Sequence, residues 1–250
     1  MSKLVLISGG SRGLGAALCD HYLRLGHEVR EFSRSGSAPY SIRTDLSRPE
    51  EAARILEREM SALAGNSYEE IVAINNAATL TPIGPAAKQD PSALAANVTI
   101  NLTGSVLFTS RVIGAFQDHA CAKTIINISS GASWKAYAGW SLYCMAKAGS
   151  EAFFRCAALE QEVAAHPFRL INVAPGVVDT EMQAAIRGAS AEDFPQLERF
   201  LELKRTGSLR SPAEAAALIA EIVASRLPSG ERMDVNEWLE EGRLRLQAPS

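Results

Sequence analysis

No apolar stretch in the chain approaches the ~20 residues that a membrane-crossing helix needs, and no lysine or arginine cluster stands out against a formal net charge of −3. Nucleic acid and anionic membranes are therefore poor partners. Metal-ligand spacing is missing as well. The four cysteines (Cys19, Cys121, Cys144, Cys156) form no CxxC pair, and the four histidines (His21, His27, His119, His166) lie far apart, so no metal is expected. The opening MSKLVLISGG has one basic residue and a short apolar run ending in glycine, the pattern of a first strand and not of a secretory signal. Free thiols in a reducing compartment follow, and a cytoplasmic location is expected. Repeats, low-complexity tracts and linkers are also lacking, so residues 1–250 read as one domain.

What is present is a regular alternation. With 47% hydrophobic and 21% charged residues, the chain can build a core that needs no staples. Leu4 to Ile7, Val29 to Phe32, Ile71 to Ile74, Thr124 to Ile128 and Leu170 to Val173 are continuous apolar runs, as expected for parallel strands covered on both faces. Helical periodicity fills Leu14 to Leu25, Pro49 to Leu63, Pro91 to Phe116, Tyr143 to Ala164 and Pro212 to Ala224, the last with Ser211 as its cap. Gly230 to Val235 returns as a last strand. The fold class is α/β, a doubly wound parallel sheet with helices on both faces. Residues 180–210 are polar and carry Gly188, Pro195 and Gly207, which fits a lid over a crevice or an ordinary surface excursion.

The first strand runs into Ser8-Gly9-Gly10-Ser11-Arg12-Gly13-Leu14-Gly15 and then a helix. Glycines there let the backbone approach a pyrophosphate, and the new helix offers it free N–H groups. About 20 residues on, an acid would bind a ribose 2′-hydroxyl. The second strand instead ends Glu31-Phe32-Ser33-Arg34, with Ser33 at the discriminating place. Arg34 and Arg12 could fork onto a 2′-phosphate, which favours NADP(H); Glu31 serving as the acid would favour NAD.

Tyr143 and Lys147, at i and i+4, share one helix face, where the ammonium is expected to lower the phenol's pKa. Ser130 follows the strand Thr124 to Ile128 and could donate to a carbonyl oxygen gaining charge. Together with Asn75-Asn76-Ala77-Ala78, Asn101 and Pro175-Gly176, these landmarks resemble the short-chain dehydrogenase/reductase family over most of the chain. That resemblance implies a Rossmann-type fold, with Tyr143 as proton donor, Lys147 on the nicotinamide ribose, Ser130 as the catalytic serine and Asn101 orienting a water. It implies cofactor contacts from Asp45, Leu46, Asn76, Ala77, Val178 and Thr180, and a homodimer or homotetramer built on the two longest helices. Ala78 replaces the family's glycine, which requires a negative φ at that position.

A narrower resemblance, to benzil and sepiapterin reductases, rests on Ser129-Ser130-Gly131-Ala132, Gly139-Trp140-Ser141, Asp179-Thr180-Glu181-Met182 and residues 206–212. It implies NADPH-dependent reduction of vicinal diketones or aryl ketones, with Met182 at the substrate. Trp134 and Trp140 lie between Ser130 and Tyr143 and offer flat apolar contact to an aromatic substrate, or pack in the core. Another small-molecule carbonyl, a pterin or a 3-oxoacyl group, is the alternative substrate. A non-catalytic NADP sensor is the alternative role.

Overall fold

The computed structural model describes residues 2–225 and 227–247. Its strands are β1 (Ser2–Ser8), β2 (Glu28–Ser33), β3 (Ser41–Arg43), β4 (Tyr68–Asn75), β5 (Ala122–Ile128), β6 (Arg169–Ala174) and β7 (Arg232–Asp234). They form one parallel sheet in the order β3-β2-β1-β4-β5-β6-β7. Side chains alternate across a strand, so each unbroken apolar run feeds both faces. Val5, Ile7, Val72, Ile74, Ile126 and Ile171 pack on one side, under α1 (Gly13–Arg24) and α8 (Pro212–Ala224). Leu4, Leu6, Ile71, Ala73, Ile125 and Leu170 pack on the other, under α2 (Pro49–Ala64), α4 (Gly104–Phe116) and α5 (Ser141–Gln161).

The expected elements are all present, with ends shifted by a few residues, and Ser211 caps α8 in a capping box with Glu214. Four features depart from the sequence reading. The edge strand β3 has only three residues and no apolar run to announce it. Pro91 to Phe116 is not one regular helix, because a π turn at Thr99–Thr103 separates α3 (Pro91–Val98) from α4. Residues 180–210 hold two helices, α6 (Glu181–Arg187) and α7 (Leu197–Arg205), and α9 (Val235–Gln247) follows β7. A third apolar cluster forms where α6 and α7 meet the start of α5, with Leu80, Trp140, Tyr143, Ile186, Phe194 and Phe200 at its centre.

Phe108 is fully buried on α4, with its ring 5.9 Å from that of Phe32 on β2. Phe108→Ala should lower the free energy of unfolding by about 3–5 kcal/mol, read from the denaturant midpoint. A loss under about 1 kcal/mol would show that this layer repacks freely.

Candidate active site

β1 stops at Ser8 and α1 starts at Gly13, so the glycine turn lies at the C-terminal edge of the sheet. Gly9 and Gly13 have φ of +72° and +55°, and a Cβ on Gly15 would stand 2.0 Å from the Gly9 carbonyl oxygen. Only glycine fits these places. Helix α1 begins without a side-chain cap, which leaves its first N–H groups for a ligand. An open, uncapped cradle of this kind fits a dinucleotide pyrophosphate. The Asn76 amide braces it by donating to the carbonyls of Ser8 (3.1 Å) and Gly9 (3.0 Å). Ser8 itself corrects the sequence reading. Fully buried, its hydroxyl accepts from the N–H groups of Asn76 and Ala77 and donates to Asn75 Oδ1, so it supports the cofactor-binding residues from behind. No described residue other than glycine has a positive φ, so Ala78 meets its requirement.

At the end of β2, the Glu31 carboxylate is fully buried beneath the turn, where it accepts from the Gly10 N–H (3.2 Å) and the Ser33 hydroxyl (3.1 Å). Its oxygens are thereby turned away from the crevice. A cavity of about 760 Å³ runs along the sheet edge. Ser11, Arg12, Leu14, Ser33, Arg34, Asp45, Leu46, Asn76 and Ala77 line one half of it, while Pro175, Gly176, Val178 and Thr180 lie toward the other. Arg12 Nη1 lies 2.5 Å from Glu181 Oε2 at the start of α6, and both side chains are mostly exposed.

The far half of the same cavity holds Ser130, Tyr143 and Lys147. Ser130 stands in the turn after β5, and its hydroxyl is near enough to the Tyr143 phenol on α5 to favour the phenolate. Burial pushes the Tyr143 phenol up to about 12, and Ser130 pulls it back only partly. This corrects the expected direction. The Lys147 ammonium donates to the Ile128 carbonyl (2.6 Å), and desolvation outweighs its help to a phenolate. The same burial brings Lys147 down to about 8, opposed by the Glu151 carboxylate.

Asn101 also departs from expectation. It sits on the π turn, outside the cavity lining, and its amide donates to the Thr79 carbonyl (2.8 Å) and Asn97 Oδ1 (2.9 Å) while its oxygen accepts from the Thr79 N–H (2.7 Å). One amide hydrogen is spent on Thr79 and the other on Asn97, so a water at this position would be held through an Asn101 oxygen and not by its amide N–H groups. Trp140 lines the cavity with one edge but is 6% exposed, stacked 4.4 Å from Phe194, so packing claims most of it. Trp134 is 60% exposed on the cavity wall and belongs to no core cluster. Met182 lines the cavity beside Ile186. Tyr137, Arg199 and Phe200 also line the cavity and are not marked in the sequence; α7 brings Arg199 and Phe200 there only through tertiary packing.

Residues 3–191 match the family model for short chain dehydrogenase. A benzil reductase ((S)-benzoin forming) of Bacillus subtilis is 38% identical over 242 residues, covering 95% of this chain and all of that one. A sepiapterin reductase of Bos taurus is 29% identical over 92% of this chain and 93% of its own length. A short chain dehydrogenase/reductase structure from Saccharomyces cerevisiae superposes with a TM-score of 0.81 at 23% identity, covering 94% of this chain and 96% of that one, and shares the fold. With its glycine cradle, its serine, tyrosine and lysine gathered in one crevice and matches that span its length, the chain belongs to the short chain dehydrogenase family, as an oxidoreductase acting on CH–OH and C=O groups with a nicotinamide cofactor.

Proposed function

We propose that the protein is an NADPH-dependent carbonyl reductase whose substrate is an aromatic ketone or vicinal diketone of the benzil type. One observation carries the reading: Ser130, Tyr143 and Lys147 meet in a cavity whose near half carries Arg12 and Arg34 and whose far half carries Trp134 and Phe200. The bound nicotinamide supplies the hydride. Tyr143, with its phenol held up at about 12, is protonated at neutral pH and suits the donor of a proton to the reduced oxygen. Ser130 is placed to hydrogen-bond the same oxygen as it gains charge. Lys147 holds the ribose and favours the phenolate once the proton has left. With Lys147 near 8, its ammonium is lost as pH rises through that value, so reduction slows on the alkaline side.

Two features support NADP(H) over NAD. Glu31 is spent under the glycine turn, and Arg34 faces the cavity beside Ser33 with no carboxylate at the place where one would hold a ribose hydroxyl. The similarity to benzil reductases supports the aromatic diketone, and that to sepiapterin reductases keeps a pterin as the second substrate to test. Helices α6 and α7 with the segment between them serve as a lid, because Ile186 of α6, Phe194 of the connection and Phe200 of α7 pack with Trp140 and Tyr143. A homo-oligomer is favoured by the outer face of α5, where Met145 and Leu159 are 44% and 63% exposed.

Tyr143→Phe should cut turnover by at least about a hundredfold while leaving NADPH affinity nearly unchanged; retained activity removes Tyr143 from the mechanism. Arg34→Ala should weaken NADPH binding about tenfold and leave NADH binding alone, measured by cofactor fluorescence titration. In a panel of benzil, a phenyl diketone, diacetyl, a pterin and an acetoacetyl thioester, NADPH oxidation should be fastest with the aromatic diketones. Preference for the thioester or diacetyl would defeat the substrate assignment.

A further inference from the structure

Glu151 is an acid that the reaction described above does not use, yet it lies two turns beyond Tyr143 and one beyond Lys147 on α5. Its side chain is 7% exposed. One oxygen, Oε1, accepts from two hydroxyls, Ser129 in a very short hydrogen bond and Ser133 at 2.8 Å, and the Arg232 Nε stands 3.4 Å from it as an ion pair without a hydrogen bond. Ser129 and Ser133 bracket Ser130 in the loop after β5. The Ser133 main-chain N–H donates to the Ser130 carbonyl (3.0 Å), so the loop closes on itself before it closes on the helix. A single carboxylate oxygen thus fastens the loop that presents Ser130 to the helix that presents Tyr143 and Lys147.

We infer that Glu151 is a positioning residue for carbonyl reduction, holding Ser130 in register with Tyr143 and keeping the buried Lys147 ammonium charged. The inference rests on the reading of Ser130, Tyr143 and Lys147 given above. Its first half is geometric, since a hydroxyl a fraction of an ångström out of place costs rate steeply. Its second half is electrostatic. A buried ammonium with one carbonyl partner loses hydration that a hydrogen bond alone does not replace, and a carboxylate one helical turn away offsets that loss. Around the pair, the titratable groups are Tyr143 on the same helix face and Arg232 with Asp234 on β7, 3.9 Å apart. β5 and the serine loop bring a carbonyl and hydroxyls, and α4 brings the Ser105 hydroxyl to Ser150. Arg232 therefore stands as the counterweight. It lies 3.4 Å from Glu151 Oε1 and sets how much of the acid's charge the ammonium feels.

Three variants separate this from plain structural support. Glu151→Gln keeps the shape and removes the charge, and should move the alkaline limb of kcat toward lower pH by about one unit. Arg232→Gln leaves Glu151 unbalanced and should move the same limb the opposite way. Glu151→Asp restores the charge and should return the limb toward the wild-type position. NADPH affinity against pH, followed by cofactor fluorescence, reports Lys147 without turnover and should shift in the same directions. If the wild-type enzyme reduces none of the panel carbonyls but these affinity profiles shift as stated, the substrate reading fails and the hold of Glu151 on Lys147 stands. Glu151→Gln with an unmoved limb and affinity profile, whatever its melting temperature, overturns the inference. Should that variant not fold, an unmoved profile in Arg232→Gln overturns it equally.

Discussion

Ser8, Asn75, Asn127 and Asn172 face one another in register across β1, β4, β5 and β6. Their side chains are bonded in sequence: Ser8 Oγ to Asn75 Oδ1 (3.3 Å), Asn75 Nδ2 to Asn127 Oδ1 (3.1 Å) and Asn127 Nδ2 to Asn172 Oδ1 (2.8 Å). All four are buried, on the face where Ser105 of α4 also accepts from Asn75. A one-residue slip of any strand would turn its amide to the opposite layer and strand it there, at about 1–3 kcal/mol for each orphaned group. The row therefore locks register at the level where the site begins. Gly9, Asn76, Ser129, Ser130 and Pro175 all emerge one to three residues beyond it, which is why loops from four strands converge on one crevice.

Much of this was legible in the chain because it depends on local order. Continuous apolar runs specify buried parallel strands, the spacing Gly9-Gly13-Gly15 specifies a turn that no side chain can share, and Tyr143 and Lys147 meet because a helix turns every 3.6 residues. The misreadings share a cause. Ser8 was placed at the cofactor because it begins the glycine turn, but only the fold shows Asn76 and Ala77 arriving from β4 to take its hydroxyl. For Asn101 the sequence does not show that Thr79, 22 positions upstream, takes up its side chain. The π turn and the short β3 are set by packing and not by pattern. Glu151 was the one missed residue with a local signal, an acid at i+4 from Lys147 on a helix face otherwise destined for burial.

Burial acts on Tyr143 and Lys147 by one rule with opposite results. It penalises the charged form of each, holding the phenol at about 12 and drawing the ammonium down to about 8. Lowering of the phenol by a neighbouring cation, the argument from sequence, presumes a cation that keeps its charge to spend. Here the ammonium is turned to the Ile128 carbonyl, and the phenol lies near Ser130. The resting site is thus a neutral donor beside a cation that needs support, an arrangement suited to giving a proton and not to taking one.

The aromatic wall follows from the same packing. Trp140 has little face left to offer: Phe194 stacks on it at 4.4 Å, Tyr137 lies at 5.0 Å, Phe200 at 5.3 Å and Tyr143 meets it edge-on at 6.0 Å. It is the seat on which α6 and α7 rest, and its burial is what dries the phenol. Trp134 has the opposite position, largely exposed but not unsupported. Lys135 Nζ lies 4.5 Å from its ring and the Arg232 guanidinium 5.5 Å from it. An exposed indole held in place by cations has less freedom to lose on meeting another group. Because Arg232 also lies 3.4 Å from Glu151, one guanidinium of β7 stands beside both the exposed indole on the cavity wall and the acid one turn beyond Lys147.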